Sequence, residues 1–452
     1  MRMILQRNFR DVIRRLNRYT TMVGQEGEKN TIVIAMSGGV DSSVAAHLVQ
    51  EQVSGKTDQN LIGLYMKNWN DTENGTYCEV SERDVRDVQQ VCDMLNIPLH
   101  HVSFAAEYWT QVFEPFLDDM YSSSSPSGSM KTPNPDINCN SQIKFGTMRE
   151  YAHTNLHASL IVTGHYARLW HRHTISHTFI QKENDELEEL IQSKIDQEPS
   201  LNHWIRDWGS SRDTPLLVAA KDLTKDQSYF LSGVSSFHNV WFPLGNYYKN
   251  NTHTSSSSSI RQLAQEYKLP NAQKKDSMGI CFIGNSRNKN QFSQFLSQYI
   301  TQPSESIKFI DIDTQKLVST TKQEKEKSKN DWSPPYYTIG QGAKLSGAST
   351  KWFVTTTTSM NENYKDDHVI WVCNDTHHPS LYTNELYINK KDFNWIVGGS
   401  LPPPPLTSKT NKGNLQAFCR MRHLQPIIPC TIKWYVYHDI NNICNFLTCA
   451  YQ

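Results

Sequence analysis

The chain has 452 residues, long enough for two or three domains, and its lysine plus arginine count equals its aspartate plus glutamate count at 45 each. That balance excludes bulk charge as a basis for nucleic-acid binding and leaves any RNA site to a local patch. Hydrophobic residues make up 37%, and the nine cysteines include no CxxC pair, which sets aside a zinc ribbon and a secreted disulfide framework. No apolar run approaches a membrane span, so a soluble protein with no membrane partner is expected. From Met1 to Thr21, Arg2, Arg7, Arg10, Arg14, Arg15 and Arg18 face a single acid, Asp11, and Ile4, Leu5, Phe9, Val12, Ile13 and Leu16 recur at roughly helical spacing. An arginine-rich, acid-poor amphipathic leader predicts a mitochondrial transit peptide, assigned to residues 1–29; an ordinary basic helix is the alternative.

Thr31 to Met36 reads as a buried strand, and Val44, Ala45, Leu48 and Val49 give the next segment one apolar helical face. Between them lies Ser37-Gly38-Gly39-Val40-Asp41-Ser42-Ser43. Strand, glycine turn and helix aim backbone N–H groups at an anion, and Ser42 or Ser43 is expected to cap the helix. No lysine follows the glycines, so this is not the GxxxxGK[ST] loop. The stretch resembles the PP-loop of the ATP pyrophosphatases, which split ATP into AMP and pyrophosphate. That resemblance places Asp41 by the phosphates and by magnesium.

Leu61–Met66 and Leu99–Phe104 read as further strands. Val85, Val88, Val91, Cys92 and Leu95 mark one helix, and Tyr108, Val112, Phe113, Phe116 and Leu117 another. Leu160–Thr163 is a short strand ending at Gly164-His165. Strands alternating with helices imply a doubly wound parallel sheet over residues 30–240. The glycine loop, Met66 and Gly164-His165 then fall at the carboxyl ends of strands, where such sheets bind ligands. Residues 122–129, 255–259, 321–330 and 183–213 read as polar inserts. A small middle domain is expected over 241–308. Short β-rich segments beyond Tyr336 (Trp352–Val354, Val369–Val372, Leu386–Ile388, Ala417–Met421 and Thr431–Tyr437) imply a β-barrel domain over 309–452.

Three stretches carry chemistry-bearing residues. Thr132-Pro133-Asn134-Pro135-Asp136-Ile137-Asn138-Cys139-Asn140 reads as an extended loop held by prolines, with a thiol three residues from a carboxylate as a candidate nucleophile. Lys274-Lys275-Asp276-Ser277-Met278-Gly279-Ile280-Cys281 offers a second cysteine, structural or reactive. Lys221-Asp222 with Lys225-Asp226-Gln227-Ser228 reads as a solvated helix start.

Taken in order, SGGVDSS, Met66-Lys67-Asn68-Trp69, TPNPDINCN, IVTGHYAR, KDQSYFL and KKDSMGICFIG resemble the MnmA/TrmU family of tRNA-specific 2-thiouridylases. The similarity runs from Thr31 to about Tyr299 and continues more weakly through Tyr337–Gln341 and Arg420–His423. It implies that ATP adenylates O2 of the wobble uridine in tRNA and that a persulfide delivers sulfur to C2. Ala35, Met36, Ser37, Gly38, Gly39, Val40, Asp41, Ser42, Met66 and Gly164 would bind ATP with magnesium. Asn134, Pro135 and Asp136 would meet the target base. Cys139 would be the nucleophile and Cys281 the persulfide carrier, with Asp136 handling a proton. His165, Lys225, Asp226, Gln227, Arg422 and His423 would touch tRNA, and a donor protein would supply the persulfide. With the leader, the resemblance points to mitochondrial tRNAs for lysine, glutamate and glutamine.

Two features depart from the family pattern. Gly340–Gly347 stands where a GQRKGLG-like run is usual, and the chain ends at Gln452 where relatives continue, so a shortened barrel is expected. Another ATP pyrophosphatase that admits ammonia, or a non-catalytic tRNA-binding relative, are the competing readings. The paired cysteine motifs speak against both.

Overall fold

A computed structural model describes residues 30–54, 59–69, 79–123, 133–170, 215–250, 259–276, 295–296, 298–299, 307–320, 337, 339–343, 345, 348–356, 369–389, 393–396, 414–439 and 442–451. The expected transit peptide, Thr132, the inserts at 124–129, 183–213, 255–258 and 321–330, and Cys281 lie outside the described residues. The described residues fall into two compact units. The first lies within Met1–Ala105, Ile137–Ser277 and Glu385–Gln452, the second within Ala106–Asp136 and Met278–Asn384.

The first unit is built on strands β1 (Asn30–Met36), β2 (Gln59–Lys67), β3 (Leu99–Ser103) and β4 (Ala158–Val162). With a two-residue strand at Val240–Trp241 they form a five-stranded sheet in the order β3-β2-β1-β4-Val240, all parallel. Parallel neighbours need crossovers, and helices α1 (Val40–Val53) and α2 (Glu79–Leu95) supply two of them. Ile32, Ile34, Val44, Ala45, Leu48, Val49, Val88, Val91, Leu160 and Val162 share one buried core. The apolar positions expected on the β1–α1 pair are therefore the ones that meet. Because β1 has β2 on one side and β4 on the other, the strand order reverses there. A crevice at that reversal is where open α/β sheets bind ligands.

The segment read as an extended loop is helical. Helix α3 (Pro135–Asn138) runs into a π-helical stretch, Cys139–Thr147, and then helix α4 (Met148–Leu156). The sequence explains the start: Asn134 Oδ1 accepts from the backbone N–H of Asp136 at 3.2 Å, and Pro135 sits at the first helical position. Asparagine before proline at a helix start satisfies one orphan N–H and wastes none on the proline. Cys139 is only 4% exposed, so the loop thiol expected here is corrected to a buried thiol on a helix.

In the same unit, strands β5 (Ala167–Trp170) and β6 (Leu216–Ala219) form an antiparallel pair. Helix α5 (Ile260–Glu266) is closed by a capping box, with Ser259 Oγ accepting from the Gln262 N–H and Gln262 Oε1 accepting from the Ser259 N–H. Its Ile260, Leu263 and Ala264 pack into the core around α1. A four-stranded antiparallel sheet comprises Glu385–Asn389, Asn414–Cys419, Ile428–Asp439 and Asn442–Tyr451.

The second unit holds a four-stranded mixed sheet of Lys308–Asp311, Leu317–Thr320, Phe353–Thr356 and Val369–Cys373, in which the first and last pair in parallel. Phe309, Tyr337, Val354, Ile370 and Val372 make one of its cores. Rings of Trp109, Phe113, Phe116, Phe295 and Tyr299 cluster separately. Among the described residues no helix is long and apolar enough to cross a membrane.

Candidate active site

The glycine loop leaves β1 at Met36 and enters α1 at Val40. Gly38 has φ +75°, and a methyl group on it would lie 2.7 Å from the Asp84 carbonyl oxygen. Only glycine fits, for both backbone and space. The serines do not cap α1 as expected: the N-cap is Gly39, with no side-chain cap bond. Instead Ser42 and Ser43 each donate to the Gly39 carbonyl at 3.0 Å, and Ser42 Oγ accepts from the Ser37 N–H at 3.2 Å. The hydroxyls brace the loop from inside the first turn. A braced loop at the N-terminus of a fourteen-residue helix is an anion-binding geometry.

Gly164 follows β4 and backs onto this turn. A methyl at 164 would lie 2.9 Å from Ser42 N and 3.0 Å from the Asp41 carbonyl carbon. The glycine-loop turn and the end of β4 therefore touch backbone to backbone. Met66, at the end of β2, stands on the same edge of the sheet.

Around Asp41 is a charged cluster that spacing in the sequence gives no hint of. Lys249 Nζ lies 2.6 Å from Asp41 Oδ1 and 3.0 Å from Asp276 Oδ1, and its side chain is 2% exposed. The Tyr166 hydroxyl donates to the same Asp41 Oδ1 at 2.7 Å. Burial first, then the charge and hydrogen bond of Asp41, push the Tyr166 phenol upward, so it stays protonated and donates. Asp276 also pairs with Arg261 at 2.6 Å and Lys225 at 3.0 Å. Burial would raise its carboxyl, but the hydrogen bonds and charge of Lys225 and Lys249 outweigh that and hold it down to about 2. Lys274 Nζ donates to the Gly38 carbonyl at 3.0 Å and pairs with Asp84 and Asp87. Asn271 Nδ2 donates to Gly38 O and to Ser43 Oγ.

The KDQS stretch was expected to be solvated, but its aspartate is buried while Lys225 keeps a side chain 38% exposed. Asp226 is 1% exposed and accepts from the Ala220 N–H, the Ser228 N–H and the Ser228 hydroxyl. Asp222 is also buried and accepts from Thr224 and from the Lys249 N–H. Burial opposes its ionisation, and these donors more than compensate, lowering its carboxyl. Charged side chains entered a folded interior here because backbone N–H groups turn toward them. Gln227 pairs with Tyr166 through its N–H to Tyr166 O and through Oε1 to the Tyr166 N–H.

The cysteine helix is tied to the end of β4 by a polar chain. His165 Nε2 lies 3.1 Å from Asn140 Oδ1 and its Nδ1 lies 2.6 Å from Thr163 Oγ1. Asn140 Nδ2 donates to the Phe230 carbonyl, which leaves its Oδ1 to accept from His165. The imidazole thus carries its proton on Nε2 and accepts from Thr163. Loss of water and the nearby Lys144 hold its pKa well below the ordinary 6.5, so it is neutral at physiological pH. Cys139 is the residue before Asn140 and shares its helix.

The turn after Asn414–Cys419 meets the same region. The Tyr229 hydroxyl donates to Met421 O at 3.1 Å, the Phe230 and His423 ring centroids are 4.5 Å apart, and Arg420 lies 3.6 Å from Asp226. Arg422 is in that turn, its N–H donating to Gln425 Oε1. The structure thus brings Lys225, Asp226, Gln227, Arg422, His423, His165 and the glycine loop into one unit. Asn134, Pro135 and Asp136 belong to the other unit.

The sequence profile described as "tRNA methyl transferase HUP domain" matches residues 30–285. The chain is 34% identical over 404 residues to the Mus musculus protein named mitochondrial tRNA-specific 2-thiouridylase 1, covering 89% of this chain and 81% of the mouse one. It belongs to the tRNA-specific 2-thiouridylase family. A Staphylococcus aureus (strain JH9) member, named tRNA-specific 2-thiouridylase MnmA, is likewise 34% identical, over 81% of this chain and 76% of its own. Among solved structures, an NMN synthetase from Francisella tularensis aligns over 63% of this chain and 81% of its own, at 14% identity and TM-score 0.28. Within the family frame, every charged partner of Asp41 and Asp276 named above falls inside the matched span.

Proposed function

We propose that this protein is a tRNA 2-thiouridylase that uses ATP to adenylate O2 of a wobble uridine and then replaces that oxygen with sulfur at C2. The observation that carries the reading is the meeting of two parts at one strand end. Gly164 backs the glycine loop, and the adjacent His165 hydrogen-bonds to Asn140 beside Cys139. A loop of anion-binding geometry and the helix that carries Cys139 both meet the end of β4, which supports activation followed by sulfur attack.

Ala35, Met36, Ser37, Gly38, Gly39, Val40, Asp41, Ser42, Met66 and Gly164 would hold the nucleotide. Among the described residues no group of three or more His, Cys, Asp or Glu side chains is arranged to hold a metal on its own. Magnesium brought by a triphosphate needs only one or two carboxylates, and Asp41, one-third exposed at the start of α1, fits that need. The ion would neutralise phosphate charge. Asn134, Pro135 and Asp136 would meet the target base. Lys225, with a side chain 38% exposed, is the member of the KDQ stretch best able to reach phosphate, and Arg422 and His423 would contribute from the neighbouring turn. His165 would meet tRNA as a neutral imidazole whose two nitrogens stay bonded to Thr163 and Asn140.

Adenylation turns O2 into a leaving group that departs as AMP. Cys281 would carry a persulfide from a donor protein. The Cys139 thiolate would attack the inner sulfur, releasing hydrosulfide for C2 and leaving a Cys139–Cys281 disulfide for an external thiol to reduce. The arginine-rich leader and the naming of the mouse relative support a mitochondrial setting. The lysine, glutamate and glutamine tRNAs are the substrates that the family resemblance implies.

The test is turnover of purified protein with ATP, a persulfide donor and unmodified tRNA. Nucleoside mass spectrometry should show 2-thiouridine, and chromatography should show AMP and pyrophosphate. ADP and orthophosphate as the main products would reject the proposal.

A further inference from the structure

The glycine loop lacks the lysine that other phosphate-binding loops carry in sequence, yet a lysine stands beside it in space. We propose that Lys249 is a positioning residue for the nucleotide: it fixes the Asp41 carboxylate at the mouth of the loop and supplies the positive charge that the loop sequence omits. This inference rests on the ATP-dependent reading above and deepens it.

Lys249 is held at both ends. Its backbone N–H donates to buried Asp222 Oδ2 at 3.0 Å. Its ammonium, 5.9 Å from the centre of the Tyr166 ring, bridges Asp41 at 2.6 Å and Asp276 at 3.0 Å. Burying an ammonium this completely is costly unless geometry and partners are both good. A purely structural pair would serve as well with its carboxylates also buried. Here Asp41 and Asp276 remain about one-third exposed while the lysine is 2% exposed. The charge is therefore enclosed on the protein side and presents through its carboxylates to the loop side. Two donors, Lys249 Nζ and the Tyr166 hydroxyl, converge on the single oxygen Oδ1 of Asp41, which fixes the rotation of that carboxylate. Asp41 is the second residue of α1, two positions after the N-cap Gly39 of the loop. An acid so near a phosphate site repels the ligand unless a cation screens it, and Lys249, 2.6 Å from Asp41, does so.

The experiment compares wild type with Lys249→Met, Lys249→Arg and Tyr166→Phe. ATP binding is measured by equilibrium dialysis with magnesium present, tRNA binding by gel shift, and steady-state kinetics by AMP release. Wild-type protein that fails to bind ATP refutes the thiouridylase reading and not this assignment alone. Given wild-type binding, Lys249→Met should weaken ATP affinity roughly tenfold to a hundredfold, the size of one hydrogen bond to a charged group. The KM for ATP should rise by a similar factor, with tRNA affinity unchanged, and Lys249→Arg should recover part of the loss. Tyr166→Phe, which removes only the second donor to Oδ1, should shift ATP affinity in the same direction by a smaller factor. It decides the matter if Lys249→Met does not fold. Unchanged ATP affinity in folded Lys249→Met, or in Tyr166→Phe where the methionine variant fails to fold, overturns the proposal. Equal loss of ATP and tRNA binding in folded Lys249→Met overturns it too, by marking Lys249 as a general structural residue.

Discussion

Asn271 Nδ2 donates to the carbonyl oxygen of Gly38 at 3.0 Å, across 233 residues of sequence. The same nitrogen reaches Ser43 Oγ at 2.9 Å, so one buried amide holds both the turn of the glycine loop and the first turn of α1. Asn271→Ala removes both bonds, while Gly38 O keeps the Lys274 ammonium and Ser43 Oγ keeps its bond to Gly39 O. A loss of about 0.5–1.5 kcal/mol in unfolding free energy is expected, the net contribution of a hydrogen bond whose partners remain satisfied. ATP affinity should fall as well, because the loop turn loses a brace. Denaturant unfolding and an ATP titration check the two effects, and an unaltered unfolding midpoint would show that the contact does not stabilise the loop.

Gly164→Ala tests the backbone contact between β4 and the nucleotide turn. The new methyl would press on Ser42 N and the Asp41 carbonyl carbon, which are main-chain atoms and cannot swing aside. Overpacking of this kind typically costs about 1–3 kcal/mol. The strain falls on the turn that would face phosphate, so KM for ATP should rise by more than KM for tRNA. Equal changes in both constants would mean that the two backbones are not coupled to nucleotide binding.

Much of this site was legible, and the part that was not has a common cause. The strand-loop-helix at Thr31–Val53 and the glycine at 164 are local patterns, and short-range periodicity reveals those. Lys249 lies in a polar stretch, Tyr247–Asn251, where nothing nearby distinguishes it from a surface lysine. Its meaning comes from Asp41, 208 residues away. Asp222 and Asp226 read as solvated because sequence shows charge and not the N–H groups that meet it. Cys139 read as a loop thiol because prolines at 133 and 135 suggested extended backbone, when Asn134-Pro135 is equally the start of a helix. In each case the missing information is a long-range or backbone partner.

Stability should depend on pH in a defined direction. His165 is held well below the ordinary 6.5 by burial first and by Lys144 second, and His153 is lowered by burial and by Arg149 against a hydrogen bond to Ala158. Below pH 6.5 the unfolded chain takes up protons that these folded imidazoles refuse, so their contribution is complete above that pH and is lost as pH falls beneath it. Asp276 contributes in a lower window, losing its share as pH falls from 3.8 toward about 2. The urea midpoint should therefore decline between pH 7.5 and 5, and His165→Gln should flatten part of that slope whatever it does to the midpoint itself. A slope identical in wild type and variant would contradict the neutral, buried assignment.

The sulfur chemistry makes the sharpest separation. Adenylation should need the glycine loop and not the thiols, so Cys139→Ser and Cys281→Ser should both still form AMP linked to tRNA uridine. Neither should yield 2-thiouridine from a persulfide donor, because one lacks the attacking thiolate and the other lacks the carrier. Hydrosulfide supplied from solution bypasses the carrier step, and Cys281→Ser should then recover activity. Cys139→Ser gives a further distinction under the same conditions. If Cys139 only frees sulfide from the persulfide, added hydrosulfide should rescue this variant too. If it acts later at the base, rescue should fail. Cys139 is 4% exposed, and a disulfide requires Cα atoms roughly 4.4–6.8 Å apart. Wild type incubated with persulfide and activated tRNA, then alkylated and digested, should accordingly contain a Cys139–Cys281 peptide pair that reductant dissolves. Full persulfide-dependent activity in either serine variant would remove that cysteine from the reaction.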